Sequence, residues 1–295
     1  MVDDNDDEDD GILRGVPGTN LSGLYGRPFL RLDTLLDLES GDVLAPLHEE
    51  ICTAFAQLPV DYTGGSHRSM GIMPPSQRGS AVVDYGEVLA ALNDEQWARF
   101  TALADDPTEF AHLTAKPGGR ADIGEERQAP LSRRQMLWLK VRHGVYFPWK
   151  AYIELIPNRR WIDKANPAGK RFTRNARQFF PLTTAFVEQL PFTAIGRCNL
   201  MGLEANDWGT VHRDGDPQDQ DRPDEFITLY PVQNKRLFVW DEGHQQKHIV
   251  QGAAAVWFND FDHHGVEAAP FFRYSLRVDG VFTDAFRARL ASSFA

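Results

Sequence analysis

Cysteine is nearly absent from the 295-residue chain. Cys52 and Cys198 are too few and too far apart for a disulfide framework or a thiolate zinc site. Long apolar runs are missing too: no window approaches the roughly 18 residues a membrane-crossing helix needs. The opening decapeptide, MVDDNDDEDD, has no basic start and no apolar stretch and does not read as a secretory signal. Basic residues are outnumbered, with 31 Lys and Arg against 42 Asp and Glu. The basic footprint of a nucleic-acid-binding protein is therefore lacking. No internal repeat is visible. These absences lead to the expectation of a cytoplasmic protein that engages neither membrane nor nucleic acid.

What is present is an ordinary globular composition, 42% hydrophobic and 25% charged, enough to bury one sizeable core. The net charge of −11 is unevenly spread, because seven acidic side chains fall within residues 1–10. A block of like charges stays solvated, so this segment is expected to be a disordered acidic tail.

Residues 11–192 read as a mainly helical N-terminal portion. Leu47, Ile51, Phe55 and Leu58 recur at helical spacing and the run ends at Pro59. Asn93, followed by Glu95 and Gln96, is a candidate N-cap. Residues 60–82 and 116–131 carry the Gly and Pro punctuation of loops, and His67 lies in the first of them. From Thr193 the pattern changes to short β-branched and aromatic runs: TAIGRCNLMGLE, GTVHRD, EFITLYPVQ, KRLFVWDE, KHIVQG, AAAVWFND and FFRYSLRVDGVF. Runs of this length without intervening amphipathic helices predict an antiparallel sandwich or barrel over 193–283. Residues 284–295 read as a closing helix. The class is α+β, mainly β.

Chemistry-bearing residues concentrate in this second half. His212 and Asp214 stand two apart, so on an extended strand both side chains point to one face. About three strands later comes the pair His263-His264, far enough along for the chain to circle a small barrel and return. Two imidazoles and one carboxylate leave open positions on an octahedral ion, a donor set suited to non-haem Fe(II) and O₂. Nine residues beyond His264 follow Arg273, Ser275 and Arg277 on one strand face. A guanidinium fork beside a hydroxyl suits a carboxylate, and Arg277 could serve a second anion. Arg197 and Asn199 share a parity in IGRCNL, as do Arg236 and Trp240 in the run KRLFVWDE. Either pair could face a pocket and hold a substrate carboxylate or amide. Trp257, Phe258 and Phe238 are expected in the barrel core, and Cys198 as a small buried hydrophobe. His244 and His248 are read as exposed turn residues.

Taken from GTVHRD through FFRYSLRVDG, this segment resembles the Fe(II)/2-oxoglutarate-dependent oxygenases, most of all their aspartyl/asparaginyl β-hydroxylase and proline-hydroxylase branch. The resemblance covers about residues 193–283. It implies a double-stranded β-helix, the jelly-roll or cupin-type barrel, with Fe(II) held by His212, Asp214 and His264. His264 is implied over His263 because Gly265 and Val266 follow it. It also implies that Arg273, helped by Ser275, anchors 2-oxoglutarate, with O₂ as co-substrate. A carboxylate at position 214 leaves no ligand position free for halide, which favours hydroxylation or desaturation over halogenation. The implied activity is hydroxylation of an unactivated C–H of an amino acid, free or within a peptide, or of a carboxylate-bearing natural-product intermediate. The competing readings are a cupin-type metalloenzyme that does not use 2-oxoglutarate and a non-catalytic binding protein on the same barrel.

Overall fold

A computed structural model of the chain describes residues 11–40, 42–58, 74–77, 83, 85–115, 131–147, 151–157, 164–215, 218 and 220–295. The loop carrying His67 lies outside the described residues. The arm after residue 10 enters as β1 (Phe29–Arg31) and leads into α1 (Leu44–Gln57). Four short helices follow: α2 (Tyr85–Ala91), α3 (Asp94–Thr101), α4 (Pro107–Thr114) and α5 (Arg133–His143). Asn93 caps α3 as its sequence predicts, accepting from the Gln96 N–H while Gln96 returns the bond to the Asn93 N–H. These helices gather Phe100, Phe110, Met136, Leu139 and Phe147 into a small core of their own. Tyr146 joins that annex to the barrel by stacking on Trp208 at 4.2 Å.

Next come β2 (Ala151–Ile156), α6 (Arg174–Phe179) and α7 (Pro181–Val187), then eight strands in succession. They are β3 (Phe192–Leu203), β4 (Gly209–His212), β5 (Glu225–Leu229), β6 (Leu237–Asp241), β7 (Gln246–Ile249), β8 (Ala255–Phe258), β9 (His264–Val266) and β10 (Arg273–Phe282). Helix α8 (Asp284–Phe294) closes the chain. The strands pair antiparallel as β3 with β10, β4 with β9, β5 with β8 and β6 with β7. That is one long hairpin, and it is wound so that successive pairs alternate between two sheets. The sheet orders are β1-β8-β5-β10-β3-β2 and β4-β9-β6-β7. This is the jelly-roll, double-stranded β-helix arrangement. Its larger sheet takes both edge strands, β1 and β2, from outside residues 193–283, so the barrel does not end at the boundary read from the sequence. Among the described residues no helix is long and apolar enough to cross a membrane.

The larger sheet is apolar on its outer face and polar on its inner one. On β10, Leu276 and Val278 face outward with their partners Leu200 and Cys198 of β3 and Leu229 and Ile227 of β5. They pack under α1, α6, α7 and α8 through Leu47, Ile51, Ala176, Val187, Phe286 and Leu290. That interface is the main hydrophobic core. Arg273, Ser275, Arg277 and Asp279 take the opposite parity and line the barrel interior, which puts polar and charged groups where a simple sandwich would bury hydrocarbon.

Candidate metal centre

The hairpin register makes the site. His212 ends β4, His264 begins β9, and the two are direct cross-strand partners. Their rings are therefore neighbours, 4.6 Å between centroids. Asp214 lies just past β4, where its N–H donates to the Asp260 carbonyl at 3.0 Å. Its Oδ1 stands 3.3 Å from His212 Nε2 and 3.7 Å from His264 Nε2. One ligand atom from each of the three residues lies within 4.8 Å of the others. Both imidazoles are oriented by their other nitrogen: His212 Nδ1 bonds the Thr210 carbonyl at 2.7 Å and His264 Nδ1 the Asp262 carbonyl at 3.1 Å. A carbonyl can only accept, so each Nδ1 carries the proton and each Nε2 turns a lone pair toward Asp214. Fixing the tautomer through the second nitrogen is what a metal-binding histidine requires, and these residues fit a divalent ion. Gly265 follows His264 because a Cβ there would fall 2.9 Å from the Gly209 carbonyl oxygen.

The electrostatics match. Burial pushes the Asp214 carboxyl up, but the Arg277 guanidinium beside it holds it well below the ordinary range. Burial and the neighbouring His212 depress His264 to about 3, so its imidazole is neutral. Phe258 walls the site, its ring 4.7 Å from that of His264. Beneath it, Asp260 and Asp224 share the buried Lys164, and burial with the neighbouring Asp224 raises the Asp260 carboxyl well above its ordinary range.

The other residues singled out in the sequence divide. Arg277 is buried beside the triad, donating through Nη1 to Asp214 Oδ2 and through Nε to Asp279 at 3.0 Å. Ser275 faces the interior, where its Oγ accepts from Lys235 Nζ at 2.6 Å. Arg273 shares that face, but its two terminal nitrogens donate to the main-chain carbonyls of Glu204, Phe271, Asp207 and Glu267. Only its Nε is left without a partner among the described residues. Asn199 sits opposite Arg277, bonds Tyr152 at 2.9 Å and leaves Oδ1 unpartnered among the described residues. Arg197 is committed to a two-bond pair with Asp279 at 2.8 and 3.1 Å. Arg236 and Trp240 do not reach the site. Val239 opposes His264 and faces inward, so its neighbours of opposite parity on the strand face outward. There Arg236, half exposed, pairs with Glu267 at 3.0 Å, and Trp240 donates to Glu242 at 2.6 Å. Phe238 is on that outer face too, in a small cluster with Val211 and Trp240.

Two buried lysines escaped the sequence reading, as did Asp224 and Asp260, which pair with one of them. Lys235 opens the run KRLFVWDE as an ordinary surface lysine would, yet only 5% of it is exposed and burial lowers it to about 7. Lys164 lies far from every motif. Parity groups Lys235 with Leu237 and Val239 but does not say that this face looks inward, and nothing local marks Lys164.

No protein-family model matches the chain, and no curated protein matches it. Among solved structures, it is similar to an oxidoreductase of the 2OG-Fe(II) oxygenase family from Burkholderia pseudomallei: 10% identity, 43% of this chain and 66% of that one, TM-score 0.30. A prolyl-4-hydroxylase from Pseudomonas putida matches at 18% identity over 38% of this chain and 66% of that one, TM-score 0.25. A prolyl hydroxylase from Trichoplax adhaerens, solved with a hypoxia-inducible-factor peptide fragment, matches at 12% identity over 39% and 60%, TM-score 0.26. The matched region spans 60–66% of each of these proteins, less than two thirds of their length.

Proposed function

We propose that this protein is an Fe(II)- and 2-oxoglutarate-dependent oxygenase that hydroxylates an unactivated C–H of an amino acid, free or within a peptide. One observation carries the reading. His212, Asp214 and His264 bring one ligand atom each within 4.8 Å of the others, on a barrel whose interior holds buried polar atoms that no described residue satisfies. Those atoms are Arg277 Nη2, Arg273 Nε, Tyr230 Oη and Asn199 Oδ1. Buried polar atoms without partners are rare in folded proteins and suggest a polar ligand in their midst.

Each residue then has a task. His212, Asp214 and His264 would hold the ion at three positions and leave the rest open. Fe(II), acting with 2-oxoglutarate and O₂, supplies the oxidising power that breaks the substrate C–H bond as the oxo-acid is converted to succinate and CO₂. Ser275, Lys235 and the remaining N–H of Arg273 form a cationic end for the distal carboxylate of the oxo-acid. Asn199 Oδ1 offers an acceptor for an ammonium or amide N–H, and Arg277 Nη2 a donor for a carboxylate, a pairing that complements an amino acid. Phe226 and Phe258 keep water from the metal side of the interior. The protein's contribution is positioning and shielding, and the bond-breaking belongs to the cofactors.

Calorimetry on the Mn(II)-loaded chain, without O₂, tests the assignment. The expected result is 1:1 binding of 2-oxoglutarate that needs the metal, with glutarate, which lacks the chelating oxo group, binding far more weakly. Metal-loaded protein that ignores 2-oxoglutarate would overturn it and favour a cupin-type metalloenzyme of another kind.

A further inference from the structure

The two oxygens of Asp214 have different surroundings. Oδ1 faces both histidine Nε2 atoms, and Oδ2 accepts from Arg277 Nη1. Arg277 is itself fixed on three sides. Its Nε is held by Asp279 Oδ1, its Nη1 by Asp214, and its guanidinium carbon lies 3.8 Å from the ring centroid of Phe226. Asp279 is in turn clamped by Arg197 through two hydrogen bonds. All four charged side chains are buried. The sheet explains their order, since Arg277 and Asp279 share a face of β10 and Asp279 opposes Arg197 on β3. The result is a chain of alternating charge, Arg197–Asp279–Arg277–Asp214, that sums to zero and ends on a metal ligand.

We propose that Arg277, backed by Asp279 and Arg197, is a positioning residue that restricts Asp214 to binding the metal through Oδ1 alone. This rests on the reading of the triad given above. A carboxylate free to turn can present both oxygens to an ion, which closes one of the positions the chelating oxo-acid and O₂ need. With Oδ2 spent on a guanidinium, that second contact is blocked and the open positions are kept. Neutrality of the chain has a further effect: the ion keeps its double positive charge, which a dicarboxylate oxo-acid complements.

Co(II) binding and the visible d–d spectrum of the full chain test this. Wild type is compared with Arg277→Leu, Arg277→Lys and Asp279→Asn, each verified as folded by circular dichroism. By charge alone, removing a cation beside a divalent ion should tighten binding. Charge alone leaves the ligand set and hence the d–d band as they are, whereas a carboxylate released to bind through both oxygens raises the coordination number and shifts and weakens the band. The expected result is a shifted and weakened band in Arg277→Leu, with no loss of Co(II) affinity, partial recovery of the band in Arg277→Lys, and a smaller shift in the same direction in Asp279→Asn, which touches no ligand. If Arg277→Leu does not fold, the other two variants carry the comparison. Folded variants that keep the wild-type spectrum would overturn the proposal, leaving the chain a purely structural role. Wild type that takes up no Co(II) would instead remove the metal reading, and this inference with it.

Discussion

Inside the barrel, Lys235 Nζ donates to Ser275 Oγ at 2.6 Å, joining the end of the β5–β6 connection to the interior face of β10. A buried lysine in this setting is costly. Burial, then the nearby Arg273 and Arg277, lowers it to about 7, so at mildly alkaline pH the folded protein holds it neutral. An arriving carboxylate reverses that preference. Binding of 2-oxoglutarate at pH 8 should therefore take up close to one proton, seen as a dependence of the calorimetric enthalpy on the buffer's ionisation heat. Lys235→Met should abolish the proton uptake and weaken the oxo-acid by about tenfold or more, the loss of a charge-assisted hydrogen bond.

The same lysine sets a pH dependence of stability. Between about 7 and its ordinary value of 10.5, the unfolded chain holds a proton at Lys235 that the ligand-free folded chain lacks. Stability from this group therefore rises with pH across that window, because the unfolded state binds more protons there. Urea midpoints measured from pH 7 to 10 should carry this rising contribution in wild type and lose it in Lys235→Met.

Arg273 behaves differently. Its guanidinium ties four main-chain carbonyls from the segment preceding β10 and the segment following β3. Arg273→Ala should cost about 3 kcal/mol or more of stability, since several buried acceptors lose their donor at once. Arg273→Lys should recover little, because an ammonium cannot span the fork. A urea midpoint unchanged in Arg273→Ala would contradict this.

Gly196 supports the site from below. A Cβ there would fall 1.7 Å from the Lys164 carbonyl oxygen, so no side chain fits. Gly196→Ala should displace Lys164 from Asp224 and Asp260 and cost about 2 kcal/mol or more. Because Asp260 holds the Asp214 backbone, Mn(II) affinity should fall together with the urea midpoint. A stability loss with undiminished Mn(II) affinity would show that this support does not reach the ligand.

Much of this was legible in the sequence because strand parity is a short-range property. The alternation in RYSLRVDG and IGRCNL already separates one polar face from one apolar face, and the spacing of His212, Asp214 and His264 follows from the hairpin that brings β4 beside β9. Other features depend on the tertiary path. Strand β9 is three residues long and too short to carry a period. Strand β2, reading AYIELI, was lost among helices because nothing local says which sheet it will edge. Arg236 and Trp240 do share a face, but parity cannot tell which face looks inward; the opposition of Val239 and His264 decides that. The same register brings Lys235 inside. Whether Arg273 is free for a ligand depends on four carbonyls from two connections, β3–β4 and β9–β10, information that no motif contains.

The central claim is most directly tested by anaerobic titration of the Fe(II)-loaded chain with 2-oxoglutarate, followed in the visible range, with Lys235→Met and Asp214→Ala in parallel. The account predicts a weak metal-to-ligand charge-transfer band in wild type. Lys235→Met should develop it only at much higher 2-oxoglutarate, and Asp214→Ala not at all. Iron bound at the triad with no such band at any 2-oxoglutarate concentration would contradict it.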